Sequence, residues 1–176
     1  MKTLKLIALL LVLLSFITAS YGQSKDDQIK AIRKEFTAIN KATTFKKVTL
    51  ENEEFLENMT DGGGALTGLY QSGTIRKIHQ WVGVSNGIEI KEYYFKNGRL
   101  IFVYEKFNSF VYDNKKAQLD QSKTETTFEG RYYFNNLRLI DYVTTGHNRF
   151  EDDAIDPEKT LLVEADDYIR LLNNKK

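Results

Sequence analysis

The 176-residue chain contains no cysteine, one proline, one tryptophan and two histidines. Without cysteine there is no disulfide, no thiolate metal site and no cysteine nucleophile, so the fold rests on its core alone. A single proline argues against disordered or Pro-rich linkers. His79 and His147 show no His-Xaa-Xaa-Xaa-His spacing, so no zinc motif is present. Charge of one sign is missing too: 25 Lys+Arg stand against 24 Asp+Glu. That balance supplies no electrostatic reason for a nucleic-acid or anionic-membrane partner. Asp61-Gly62-Gly63-Gly64 lacks the Lys-Ser/Thr of a P-loop and precedes a strand pattern, so it is read as a flexible or tightly turning loop. No cofactor and no metal are expected.

A bilayer-spanning apolar run is also lacking. The chain opens with Lys2 and Lys5, runs apolar from Leu6 to Ile17, and turns small and polar around Ser20 and Gly22. The run falls short of the roughly 20 residues that cross a bilayer, and its three-part pattern is that of a secretory signal peptide. Cleavage is expected after Gly22, leaving residues 23–176 as a single secreted or periplasmic domain with no membrane span. Removal of Lys2 and Lys5 takes the 25 basic residues to 23 against 24 acidic ones.

What the chain has in quantity is aromatics, 10 Tyr and 11 Phe. They concentrate in two runs flanking Asn97-Gly98. A tight type I′ turn needs positive φ at both central residues, and Asn-Gly supplies it at little steric cost. With a regular two-residue turn, Phe95 faces Leu100, Tyr93 faces Phe102, and Glu92 and Glu105 project to one face.

Elsewhere, Ser24 and Asp27 have capping-box spacing ahead of Ile29, Ile32, Phe36 and Ile39, which predicts an amphipathic helix over 26–40. A short strand is expected at 45–50 and a short helix at 51–59. Strands follow at 65–71 and 74–84, with turns at Ser72-Gly73 and Asn86-Gly87. Residues 113–124 read as a polar, mobile loop, and 126–135 with 137–145 as the last strand pair. Asp156-Pro157 opens a C-terminal helix, Asp as cap and Pro at the first helical position. The fold class is α+β: about six antiparallel strands in meander order, with an N-terminal and a C-terminal helix packed on the sheet. Both helices are expected on one face.

Tyr93-Tyr94-Phe95-Lys96-Asn97-Gly98-Arg99-Leu100-Ile101 matches Tyr132-Tyr133-Phe134-Asn135-Asn136-Leu137-Arg138-Leu139-Ile140 at an offset of 39 residues, and Tyr70-Gln71-Ser72-Gly73-Thr74-Ile75 is a fainter echo. Leu137 takes the place of the turn glycine, where positive φ is costly. A turn centred on Asn135-Asn136 is the alternative. Together with the Thr60–Tyr70 segment, these motifs resemble small uncharacterised exported proteins of Bacteroidota-type bacteria. They are also loosely similar to MORN-like and YwqK-type repeats, although a 39-residue spacing departs from the shorter period of those repeats. Neither resemblance carries over a catalytic residue.

Candidate chemistry is sparse. His79 is expected on a half-buried sheet surface opposite Leu66, and His147 in a loop. Glu151, Asp152, Asp153, Asp156 and Glu158 have neither the spacing nor the glycine of an EF-hand, and read as a cap and a solvated loop. The aromatic ladder Tyr93, Phe95, Phe102, Tyr104, Tyr132 and Phe134 is the candidate binding surface, since tyrosine platforms suit sugars, peptides and partner proteins. The resulting expectation is an exported, non-enzymatic binding protein of the cell envelope, its partner a protein or glycan. The alternative is an exported carboxylate-dependent hydrolase of glycans or peptides built on Glu92 and Glu105.

Overall fold

The computed structural model describes residues 24–152 and 154–175. The expected signal peptide lies outside them. Helix α1 (Lys25–Lys41) precedes seven strands: β1 (Lys46–Glu51), β2 (Gly64–Gln71), β3 (Thr74–Val84), β4 (Gly87–Lys96), β5 (Arg99–Asp113), β6 (Gln118–Asn135) and β7 (Arg138–Thr145). Helix α2 (Pro157–Lys175) closes the chain. The strands form one antiparallel sheet in the order β1 to β7, a meander with a helix at each end. Among the described residues no helix is long and apolar enough to cross a membrane.

Three hairpins at one end of the sheet share a construction. Their central residues are Ser72-Gly73, Asn97-Gly98 and Asn136-Leu137, all with positive φ. Asn135 pairs with Arg138, so the third turn keeps the register of the repeat and Leu137 accepts φ +62. Each hairpin then carries a bulge just behind an aromatic–aliphatic pair: Tyr70 with Ile75, Phe95 with Leu100, Phe134 with Leu139. The bulge corrects the expected register. An extra residue on one strand shifts every later pairing by one and exchanges faces. Tyr93 therefore lies opposite Val103, Tyr94 opposite Phe102 and Glu92 opposite Tyr104. His79 faces Thr67 in place of Leu66 for the same reason.

The two helices lie on opposite faces of the sheet, a second correction. Consecutive strand residues point to opposite sides. In the repeats, Tyr93 and Tyr132 join the core under α2, with Leu161, Ala165 and Leu172. Tyr94 and Tyr133 join a second core under α1, with Ile29, Ile32 and Ile39. Two apolar faces need two covers. Helix α1 is capped by Ser24, which accepts from Asp27 N at 3.2 Å. It is fastened by Lys25 to Asp141 at 2.8 Å, by the Arg76–Glu35 ion pair, and by Asn40 to the Tyr94 hydroxyl. In α2, Asp156 accepts from Glu158 N at 2.8 Å, and Pro157 occupies the first helical position.

Other expectations change in detail. The helix expected at 51–59 is a single 3-10 turn, Asn52–Glu54. The turn before β4 is Ser85-Asn86, one residue earlier than the Asn-Gly dipeptide suggests, and Val84 pairs with Gly87. The glycine loop is built rather than mobile. Gly62 N donates to Gly83 O, Gly83 N to Gly63 O, and Gly64 N to Asn52 Oδ1. A Cβ on Gly62 would meet Gly83 Cα at 2.6 Å. Residues 113–124 are a hairpin. Beyond Ser109 and Glu129 the ladder pairs the two long strands with each other, as a ribbon turning at 114–117, with Phe110 N also donating to Asn86 O at 2.9 Å.

Candidate functional site

Five of the six aromatics expected on an open face lie in the cores. Tyr93, Phe95, Tyr132 and Phe134 pack under α2 with at most 1% exposure, and Phe102 packs under α1. Tyr104 alone is half-buried at the edge of a cleft. The six do not share a face, because the bulge behind Phe95 places Phe102 and Tyr104 on the α1 side. Truncating a buried aromatic costs roughly 3–5 kcal/mol, so the four under α2 are part of the folding core.

Glu92 and Glu105 also part company. Glu105 stays on the α2 side, in a buried ionic network. Its Oε1 accepts from Arg149 Nη2 at 2.6 Å, and Arg149 also pairs with Glu164. Lys91 Nζ contacts Glu89 at 2.7 Å and Glu164 at 3.6 Å, and the Tyr93 hydroxyl donates to Glu164 at 2.6 Å. Burial raises the Glu105 pKa, opposed by Arg149 and Lys91. Burial pushes Glu164 the same way, but the hydrogen bond from Arg149 and the charge of Lys91 outweigh it and hold it at about 2. Glu105 Oε2 and the Tyr132 hydroxyl form no well-aligned hydrogen bond among the described residues, yet they are neighbours: burial, then the Glu105 carboxylate, raises the Tyr132 pKa. The network lines a cleft of about 300 Å³ with Phe107 and Phe128. Its cations and carboxylates face one another, so they are already committed within the protein.

The α1 side is different. Helix α1 covers the rung Lys77–Tyr94–Phe102–Tyr133–Asp141. The next rung, Thr49–Thr67–His79–Glu92–Tyr104–Arg131–Val143, crosses all seven strands. The one after it brings Ala65, Trp81, Ile90, Lys106 and Glu129 into line. Most of these side chains are half-buried, as on a sheet face flanked by its own neighbours. Burial lowers the His79 pKa, with Glu92 opposing it.

Where α1 meets this face there is a cleft of about 360 Å³, lined by Ile32, Arg33, Phe36, Glu92, Phe102, Tyr104, Arg131 and Tyr133. Phe36 packs edge-on against Phe102 at 5.4 Å, and Phe102 against Tyr133 at 5.0 Å, giving an aromatic floor. Each arginine lies over a tyrosine ring: Arg33 over Tyr133 at 5.6 Å and Arg131 over Tyr104 at 5.3 Å. Glu92 is held by Lys77 Nζ at 2.7 Å and by the Tyr94 hydroxyl at 2.5 Å. The Tyr104 hydroxyl donates to Glu129. Burial first, then this carboxylate, pushes its pKa up to about 12. Arg131 shares Glu129 at 3.0 Å, while Arg33 Nη2 donates to the Tyr133 hydroxyl at 3.5 Å and has no carboxylate in ion-pair contact among the described residues.

Sequence reasoning reached Phe102 and Tyr104 but missed Arg33, Phe36, Arg131 and Tyr133 as a group. Arg33 reads as a solvent-side residue of an amphipathic helix, and 97 residues of chain lie between it and Arg131. The usable signal was that Arg131 directly precedes the second Tyr-Tyr-Phe repeat. His147 is fully exposed and meets Glu151 at 3.0 Å. No group of three or more His, Asp or Glu residues suited to a metal occurs among the described residues. Compared with protein-family models, curated proteins and solved structures, the chain matches none.

Proposed function

We propose that this protein is an exported, non-enzymatic binding protein of the cell envelope, and that it takes its partner in the cleft between α1 and the open half of the sheet. The carrying observation is the cleft itself. Aromatic walls are joined by two guanidinium groups near tyrosine rings, Arg33 hydrogen-bonded to the Tyr133 hydroxyl and Arg131 paired with Glu129. Ligand sites combine apolar walls with a few convergent polar groups, and this cleft has that composition. A concave aromatic surface fits an envelope protein or glycan, and the signal-peptide pattern of residues 1–22 supports export. Glu92 and Glu105 stand on opposite faces, so the carboxylate pair of the hydrolase alternative does not converge on one site, which favours the binding reading.

The test is a ligand-observed NMR screen of a mixed fragment and oligosaccharide set on the mature protein, repeated on Tyr104→Ala and Phe36→Ala after melts confirm folding. Binders that lose contact in both variants support the cleft. A screen whose binders all ignore both substitutions removes it.

A further inference from the structure

We infer that the cleft recognises a carboxylate borne on a ring with an apolar face. This inference rests on the reading of the cleft as a binding site and adds the chemistry of its ligand. The cations at the cleft and its margins outnumber the carboxylates. Arg33, Arg131 and Glu92 line the cleft, with Lys77 beside Glu92 and Glu129 beside Arg131. The two carboxylates are already engaged, Glu92 by Lys77 and Glu129 by Arg131 and the Tyr104 hydroxyl. An entering cation would meet two neutralised acids and two arginines. An entering anion meets Arg33, which holds no carboxylate among the described residues, and Arg131, which has one.

Geometry selects a carboxylate. Arg33 Nη2 donates to the Tyr133 hydroxyl at 3.5 Å and Arg131 Nη2 to Glu129 at 3.0 Å, and the remaining N–H groups of each planar fork match the oxygens of a carboxylate. Arg33 comes from α1 and Arg131 from β6, so the two approach the cleft from its wall and its floor. Between them the cleft is lined by Phe36, Tyr104, Phe102 and Tyr133, and the half-buried Phe36 and Tyr104 are the rings placed to meet a ligand, Phe102 and Tyr133 being buried behind them. Lysines in these places would offer point charges without the planar edge. The same chemistry is carried by an aromatic acid and by a uronic acid, whose ring also has an apolar face.

Calorimetry on the mature protein uses 2-naphthoate and digalacturonate, with 2-naphthalenemethanol and galactobiose as their neutral counterparts. At least one acid is expected to bind about tenfold or more tightly than its neutral counterpart, as hydrogen bonds to charged groups provide. Arg33→Met and Arg131→Met retain the apolar stem and are each expected to lose that margin. Arg33 is exposed on α1, so its variant tests binding without disturbing a core. Which acid binds distinguishes the aromatic from the saccharide source. Acid and neutral forms binding alike, with binding still lost in Tyr104→Ala, would overturn the carboxylate inference and leave the cleft standing. Acid binding unchanged by both arginine substitutions, or no acid binding, overturns it as well. Only fragments that ignore Tyr104 and Phe36 count against the cleft.

Discussion

Glu92 and Glu105 stand back to back across the sheet. Glu92 lies opposite Tyr104 and meets Lys77 at 2.7 Å on the α1 side, while Glu105 lies opposite Lys91 and meets Arg149 at 2.6 Å on the α2 side. They share no partner. Substitutions at residues without shared partners add within about 0.3–0.5 kcal/mol. Glu105→Gln is expected to cost no more than about 1–2 kcal/mol, since burial already disfavours the Glu105 charge and Arg149 keeps its pair with Glu164. Urea melts of both single variants and the double variant measure the coupling. A coupling above about 1 kcal/mol would show that the two carboxylates interact after all.

Gly62 and Gly83 are in backbone contact, so their cost is steric, whereas the cost at Gly98 is conformational. A Cβ on Gly83 would lie 2.8 Å from Gly62 Cα, while Gly98 has φ +75 and nothing within 4 Å. Gly62→Ala and Gly83→Ala are each expected to lose about 2–4 kcal/mol through forced backbone movement. Gly98→Val is expected to lose roughly 1–3 kcal/mol from strain at positive φ. Chemical denaturation of the three ranks them. Gly62→Ala as mild as a surface substitution would mean that the loop yields freely.

Leu137 holds φ +62 and is exposed, so it carries strain without a packing return. Leu137→Gly is expected to raise stability by about 0.5–1 kcal/mol, relief at positive φ exceeding the entropy a glycine adds to the unfolded chain. A thermal melt read at two protein concentrations checks the sign.

Glu164 titrates at about 2 in the folded protein, against the usual 4.5. A carboxylate with a lowered folded pKa binds its proton more readily when unfolded. Its contribution is therefore complete above pH 4.5 and drains away as pH falls toward 2. Glu164→Gln is expected to be less stable than wild type by roughly 2–4 kcal/mol at pH 7. The gap should narrow between pH 4.5 and pH 2. Urea midpoints of both proteins across that range measure it, and a constant gap would show that ionisation of Glu164 contributes nothing.

Export has its own readout. Mass spectrometry of protein recovered from the envelope or medium is expected to begin at Gln23, in open or cyclised form. A mature species retaining Met1 would remove the signal-peptide reading.

Local chemistry determined much of this protein before any tertiary contact. Asn97-Gly98 marks a type I′ turn because few dipeptides tolerate two positive φ values. The Ser24 and Asp156 caps mark helix starts because their oxygens satisfy free N–H groups. The 39-residue echo announces a second hairpin of the same kind, and alternating apolar residues announce strands. Those signals act within a few residues, and they sufficed for an α+β meander with a helix at each end. Only the tertiary structure decided which side of the sheet each residue faces. A single extra residue behind Phe95, Tyr70 or Phe134 reverses every later face, and nothing in the local pattern marks it. That one-residue shift separates Glu92 from Glu105 and buries most of the aromatic ladder. It also brings Tyr104 and Arg131 beside Arg33 and Phe36, residues joined by sheet pairing and helix docking rather than by proximity in the chain.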